Sequence, residues 1–174
     1  MAVRLFRVFF PQEIETMKYI PLTLESIELL KKQLEPTNME KFLKICLDAL
    51  DTDVTPKDLV SDEFSCAEVV STLIQKLLPD FRTYASTQDL DAKLFLDKRF
   101  KRLNVPERGC IWVSPRTKST FGHSGVQISN EIIASNNSFG VFKGKFTGNY
   151  NAETWKKEFE IKRGLKTYYY KLAE

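Results

Sequence analysis

Hydrophobic and polar positions along the chain change rhythm near its middle. Over residues 23–34, Leu24, Ile27, Leu29, Leu30 and Leu34 recur at helix-like intervals. Thr37-Asn38-Met39-Glu40 has the spacing of a capping box, and it opens a second helix. The buried side of that helix would be Phe42, Leu43, Ile45, Cys46, Ala49 and Leu50, with Cys46 a small core residue. Residues 51–62 carry turn and loop chemistry, marking a boundary. A third helix is predicted from Cys66 to Leu78, stopped by Pro79. A fourth spans about 87–98, with Leu90, Leu94 and Leu96 apolar.

Beyond Pro106 the pattern becomes that of strands. Residues 109–115 read as a short strand ended by proline, and 124–129 with 131–136 as a hairpin around Asn130-Glu131. Residues 140–146 are another strand candidate, and a Tyr-rich strand over 167–172 closes the chain. Between them, 152–162 places Trp155 and Phe159 four apart on a helix face. Helices followed by a strand-rich half predict an α+β domain. The division expected is an N-terminal helical segment, 1–55, and a second unit, 56–174.

Composition narrows the function classes. A hydrophobic share of 43% can build a sizeable core in 174 residues. The net charge of +3 is spread along the chain without a dense basic block, so no nucleic-acid footprint is expected. Three cysteines, Cys46, Cys66 and Cys110, lack the count and spacing of a disulfide scaffold, and one histidine cannot complete a zinc signature. No metal or organic cofactor is implied. The N-terminal apolar run is short and broken by Pro11, so neither a secretory signal nor a membrane span is expected, and synthesis in the cytoplasm follows.

The chemistry concentrates on two residues. Cys66 opens a predicted helix, where free backbone N–H groups and the helix dipole favour a thiolate, and a nearby imidazolium would favour it further. The competing reading is a core thiol beside Phe64 and Val69, and the carboxylates of Asp62, Glu63 and Glu68 oppose ionisation. His123 is the only side chain with an unperturbed pKa near neutrality, and its neighbours Gly122, Ser124 and Gly125 are small enough to leave the imidazole approachable. A base needs an orienting partner on its second ring nitrogen. The returning hairpin strand offers Ser135, Asn136 and Asn137; Asn136 is favoured, although strand phase does not single it out.

In order and type these parts resemble a known family. Ser65-Cys66-Ala67-Glu68 on a helix precedes Gly109-Cys110-Ile111-Trp112-Val113-Ser114-Pro115, then Gly122-His123-Ser124-Gly125-Val126 and Ser135-Asn136-Asn137-Ser138. The series is similar to the NlpC-type and CHAP-type cell-wall cysteine peptidases, over about residues 56–174, with His123 57 residues after Cys66. Ser65 stands where those families usually carry Asp or another small residue, and Ala67-Glu68 where they carry Ser-Gly or a similar pair. The resemblance implies a papain-like fold and cleavage of amide bonds in peptidoglycan peptides, often by phage lysins. It casts Cys66 as nucleophile, His123 as general base, Asn136 or a neighbour as orienting group, and the Cys66 backbone N–H as part of an oxyanion hole. A lysin without a signal peptide would need a holin-like pore or virion delivery. The rival expectation is a non-enzymatic binding or virion module on the same fold, with aromatics near Phe139, Phe142 and Tyr150 as its partner surface.

Overall fold

The structure is a computed structural model, and it describes residues 37–55, 65–138 and 140–173. The helix expected over 23–34 lies outside them, as does Phe139. The first described element is helix α1, Asn38–Asp48. The Thr37 hydroxyl accepts from the Glu40 N–H at 3.2 Å, half of the capping box read from sequence. Its apolar face buries Met39, Phe42, Leu43, Cys46 and Leu47. Helix α2, Cys66–Leu77, buries Val69, Val70, Leu73 and Ile74. Helix α3, Thr87–Leu96, starts under a Ser86 cap on the Gln88 N–H. It ends two residues earlier than expected, because Asp97 turns extended and its carboxylate takes up Arg99. Of the apolar residues read in this helix, Leu90 and Leu94 are buried and Leu96 is exposed.

The second half forms one six-stranded antiparallel sheet. Its strands are β1 (Phe100–Leu103), β2 (Ile111–Ser114), β3 (His123–Gln127), β4 (Ile133–Asn136), β5 (Phe146–Tyr150) and β6 (Tyr168–Leu172), in the order β1-β6-β2-β3-β4-β5. The β3–β4 hairpin forms where Asn130-Glu131 predicted it, closed by Ile128 N–H donating to the Ile132 carbonyl. Strand β1 escaped the sequence reading, since its Lys-Arg pair hides any alternation. The strand expected over 140–146 does not form. Gly140 and Gly144 take positive φ, 71° and 79°, which turns the chain through a short 3-10 segment, Gly140–Phe142, before β5 begins at Phe146.

Period-two alternation divides the apolar residues between the two faces of this sheet. On one face Ile111, Val113, Val126, Ala134, Phe146 and Tyr170 meet Phe42, Cys46, Val70, Leu73 and Leu90 from the three helices. This core therefore includes α1, which belongs to the segment read as separate. On the other face Cys110, Trp112, Ile133 and Tyr150 meet Trp155, Phe159 and Leu165. Trp155 and Phe159 come from the predicted 152–162 helix. It begins as α4, Ala152–Trp155, under a reciprocal Asn151–Thr154 capping box, and continues as a π-helix, Lys156–Lys162. Such widened turns recur at functional sites. The architecture is α+β, as expected.

Candidate functional site

His123 is the first residue of β3, and its position depends on the glycine before it. A Cβ on Gly122 would collide with the Ser114 carbonyl and the Thr87 hydroxyl, so the small residue permits close backbone approach. Gly125 is equally confined, by the Ala134 carbonyl of β4. The expectation that these glycines expose the imidazole is thus corrected, and His123 is only 6% exposed.

The imidazole sits in an aromatic enclosure. Phe159 stacks on it at 4.9 Å and 13°, Trp155 lies 5.4 Å away, and Tyr150 approaches edge-on at 5.5 Å. Burial among these rings pushes the His123 pKa down to about 3, and the Arg163 guanidinium adds to the effect. Arg163 is held in turn by Glu158 at 2.8 Å. The histidine is therefore neutral at pH 7, and its tautomer follows from its partners. Ser135 donates its single hydroxyl proton to Asn149 Oδ1 at 2.8 Å, so its oxygen accepts from His123 Nε2, 2.9 Å away. The proton is on Nε2, which leaves the basic lone pair on Nδ1.

Ser135 is thus the residue that orients His123. Asn136, favoured from sequence, points to the opposite face of β4, where its Nδ2 donates to Ser65 Oγ at 2.8 Å. The reason is strand phase: Ser135 lies opposite Gly125, on the histidine's side of the sheet, and its neighbour must face the helices. Asn149 was not foreseen at all. It lies on β5, a strand that the sequence reading placed too early in the chain.

Cys66 begins α2 beneath the strand that carries His123. Its thiol lies by the backbone N–H of Ser124, the residue after His123, and by the Cys66 and Ala67 N–H groups. These donors favour the thiolate, but burial is the larger effect and raises the Cys66 pKa above that of an ordinary thiol. The expected resting thiolate–imidazolium pair is not formed: both groups are neutral, and no hydrogen bond joins them. Cys66, like His123, is 6% exposed. Burial raises the other thiols as well, Cys110 to about 12 and Cys46 further. Cys46 has its expected place in the aliphatic core, while Cys110 joins the aromatic cluster beside Gln127.

The start of α2 is unusual in its polar partners. Ser65-Cys66-Ala67-Glu68 has capping-box spacing, yet among the described residues no side chain caps this helix, and the Ser65 backbone, φ −83° and ψ 10°, is not the extended one of an N-cap. Ser65 Oγ accepts from Asn136 instead. The Glu68 carboxylate is buried with neither oxygen hydrogen-bonded among the described residues, and burial raises its pKa.

The aromatic surface expected of a binding module is also changed. Tyr150 is buried against His123 and unavailable to a partner, and Phe142 is half-buried. Among the described residues no helix is long and apolar enough to cross a membrane. Comparison of the chain with protein-family models, with curated proteins and with solved structures gives no match.

Proposed function

We propose that this chain is a cysteine-dependent amide hydrolase of papain-like organisation, acting on peptide bonds of the kind found in peptidoglycan. One observation carries the reading. The only histidine is fixed through Nε2 by the Ser135–Asn149 pair with its Nδ1 lone pair unprotonated, and the helix that begins with the Cys66 thiol packs against the strand that begins with that histidine. Peptidoglycan as the substrate rests on the family resemblance alone.

Because thiol and imidazole are both neutral at rest, proton transfer accompanies attack. Cys66 and His123 lie on opposite faces of β3, so only once local opening has brought the two side chains together does the Cys66 proton pass to His123 Nδ1 as sulfur adds to the amide carbonyl carbon. The resulting oxyanion is held by N–H groups at the start of α2. His123 then gives the proton to the departing amine, leaving a thioester on Cys66. Water adds to that thioester, its proton returns to Nδ1, and the thiol is regenerated. Ser135 keeps the imidazole in the required tautomer throughout, and Asn149 fixes Ser135. With sulfur and ring both buried, substrate reaches them only after local opening of the residues around the site.

That same burial favours a second reading, in which His123 is a packing residue of a non-catalytic module. Iodoacetamide alkylation followed by peptide mass spectrometry separates the two. For a hydrolase, Cys66 reacts faster than Cys46 and Cys110 at pH 8, and His123→Ala slows Cys66 selectively. Equal, sluggish labelling of all three thiols, indifferent to His123, would leave the binding module as the better account.

A further inference from the structure

The cover over His123 comes from a few adjacent residues. Its own strand is paired on both edges, to β2 from His123 itself and to β4 from Gly125. The ring is enclosed by Tyr150, at the end of β5, and by Trp155 and Phe159 of the closing segment. The two rings of that segment are not equally secured. Trp155 follows the Asn151–Thr154 capping box, and its indole N–H donates to Ser114 Oγ at 3.1 Å. Phe159 has no polar handle, and it alone of Lys156–Lys162 is buried. The half-buried Arg163 guanidinium lies over the same phenyl ring, 5.0 Å from its centre. The phenyl ring thus touches both the imidazole and a charge that reaches solvent.

We propose that residues 156–164 form a lid over His123, opening between the buried anchors Trp155 and Leu165 while the sheet stays intact. The far hinge is Gly164, whose φ of 66° suits glycine and whose missing Cβ would meet nothing within 4 Å. Arg163 donates to Glu158 Oε1 from Nε at 3.1 Å and from Nη2 at 2.8 Å. That pair lies within the lid and moves with it. The bond from Arg163 to the Phe121 carbonyl, at a long 3.4 Å, crosses to the loop between β2 and β3. No other ion pair or side-chain hydrogen bond joins 156–164 to the rest of the described residues, so Phe159 and this one bond hold the lid shut. Seven residues of π-helix are also long for a geometry seen mostly as single widened turns. A segment that buries one side chain opens more readily than strands buried on both faces. Entry of substrate by this route rests on the proposed role of His123 as base, whereas the opening itself does not.

Native-state hydrogen exchange of the full chain, at rising urea below the unfolding transition, tests the lid. After correction for intrinsic rates, the amides of 161–165 should exchange roughly a hundred-fold faster than those of Val126 and Gln127 in β3, with little dependence on urea. Because the chain has one histidine, diethyl pyrocarbonate followed by peptide mass spectrometry reads access to that ring alone. Arg163→Gln removes the charge over Phe159 and should raise the His123 modification rate about five-fold, while the β3 amides keep their wild-type exchange. Leu73→Ala, which weakens the opposite face, should raise that rate only in step with the β3 amides. Exchange of 161–165 at the rate and urea slope of β3 would overturn the lid. So would modification of His123 in Arg163→Gln that rises only with the β3 amides. Wild-type Cys66 labelling no faster than Cys46 would remove the hydrolase reading, while the exchange result would still decide whether the lid opens.

Discussion

The two faces of the sheet bury different things. Under α1, α2 and α3 the core is mainly aliphatic, built from Val69, Val70, Leu73, Ile74, Leu90, Val113 and Val126 with Phe42 and Phe81 among them. Beneath the closing helix it is mainly aromatic, and in its midst lies a histidine that burial keeps neutral. Aliphatic packing stabilises through area alone, although the buried Glu68 carboxyl, its pKa raised by burial, lies in the first turn of a helix on that side. An aromatic cluster stabilises by area and ring geometry, while its flat faces shape a slot around one imidazole. The aliphatic core and the imidazole are thereby placed on opposite sides of the same strands, and β3 and β4 serve both. Cys66 belongs to the helical side and His123 to the aromatic side, so any joint action requires the strand that separates them to hold both in register.

The largest expected effect comes from truncating each core in turn. Trp155→Ala and Leu73→Ala should both destabilise strongly, by about 3–5 and 2–5 kcal/mol respectively in urea unfolding. Only Trp155→Ala should also move the histidine. Opening the aromatic slot rehydrates His123, so its NMR-monitored pKa should rise from about 3 toward the ordinary value of 6.5. An equal shift in Leu73→Ala would show that the two faces are not electrostatically separate.

Acid pH should produce a somewhat smaller effect. A histidine whose folded pKa lies below its unfolded value binds its proton more readily in the unfolded chain. Its contribution is complete above pH 6.5 and is lost as pH falls toward 3. By pH 4 the wild type should have lost about 3 kcal/mol that a folded His123→Phe variant retains, an order-of-magnitude figure from the linkage relation. Urea midpoints measured from pH 7 to 4 for both proteins check this. Parallel curves would mean that the imidazole is hydrated in solution.

The smallest effect distinguishes packing from orientation. Ser135→Ala removes the hydroxyl between His123 Nε2 and Asn149 and should cost about 1–2 kcal/mol. In ring-nitrogen NMR the Nε2–H tautomer should lose its dominance, and any Cys66-dependent hydrolysis should fall with it. A stable, unchanged tautomer would transfer the orienting role to the aromatic enclosure alone.

Much of the fold is legible in short-range pattern. The α2 and α3 starts, the β3–β4 hairpin and the closing Trp155–Phe159 segment all follow from periodicity and turn chemistry. Strands β1 and β5 were missed or misplaced because their pairing partners, β6 and β4, decide them more than their own residues do. The site divides in the same way. Cys66 at a helix start and His123 at a strand start are visible because each depends on a few adjacent residues. Whether the thiol ionises, which β4 residue meets the imidazole, and where Ser65 sends its hydroxyl depend on contacts far apart in sequence.

By itself, then, the chain's pattern determines most of the succession of elements, the α+β class and the two candidate groups, since helix starts and apolar periods are local quantities. Only the tertiary structure decides their chemistry. Burial among Tyr150, Trp155 and Phe159 makes the histidine neutral, the phase of β4 assigns Ser135 and Asn136 to different faces, and Asn136 donates to Ser65 across the sheet. Desolvation and hydrogen-bond choice depend on what surrounds a group in space, and no short stretch of sequence carries that information.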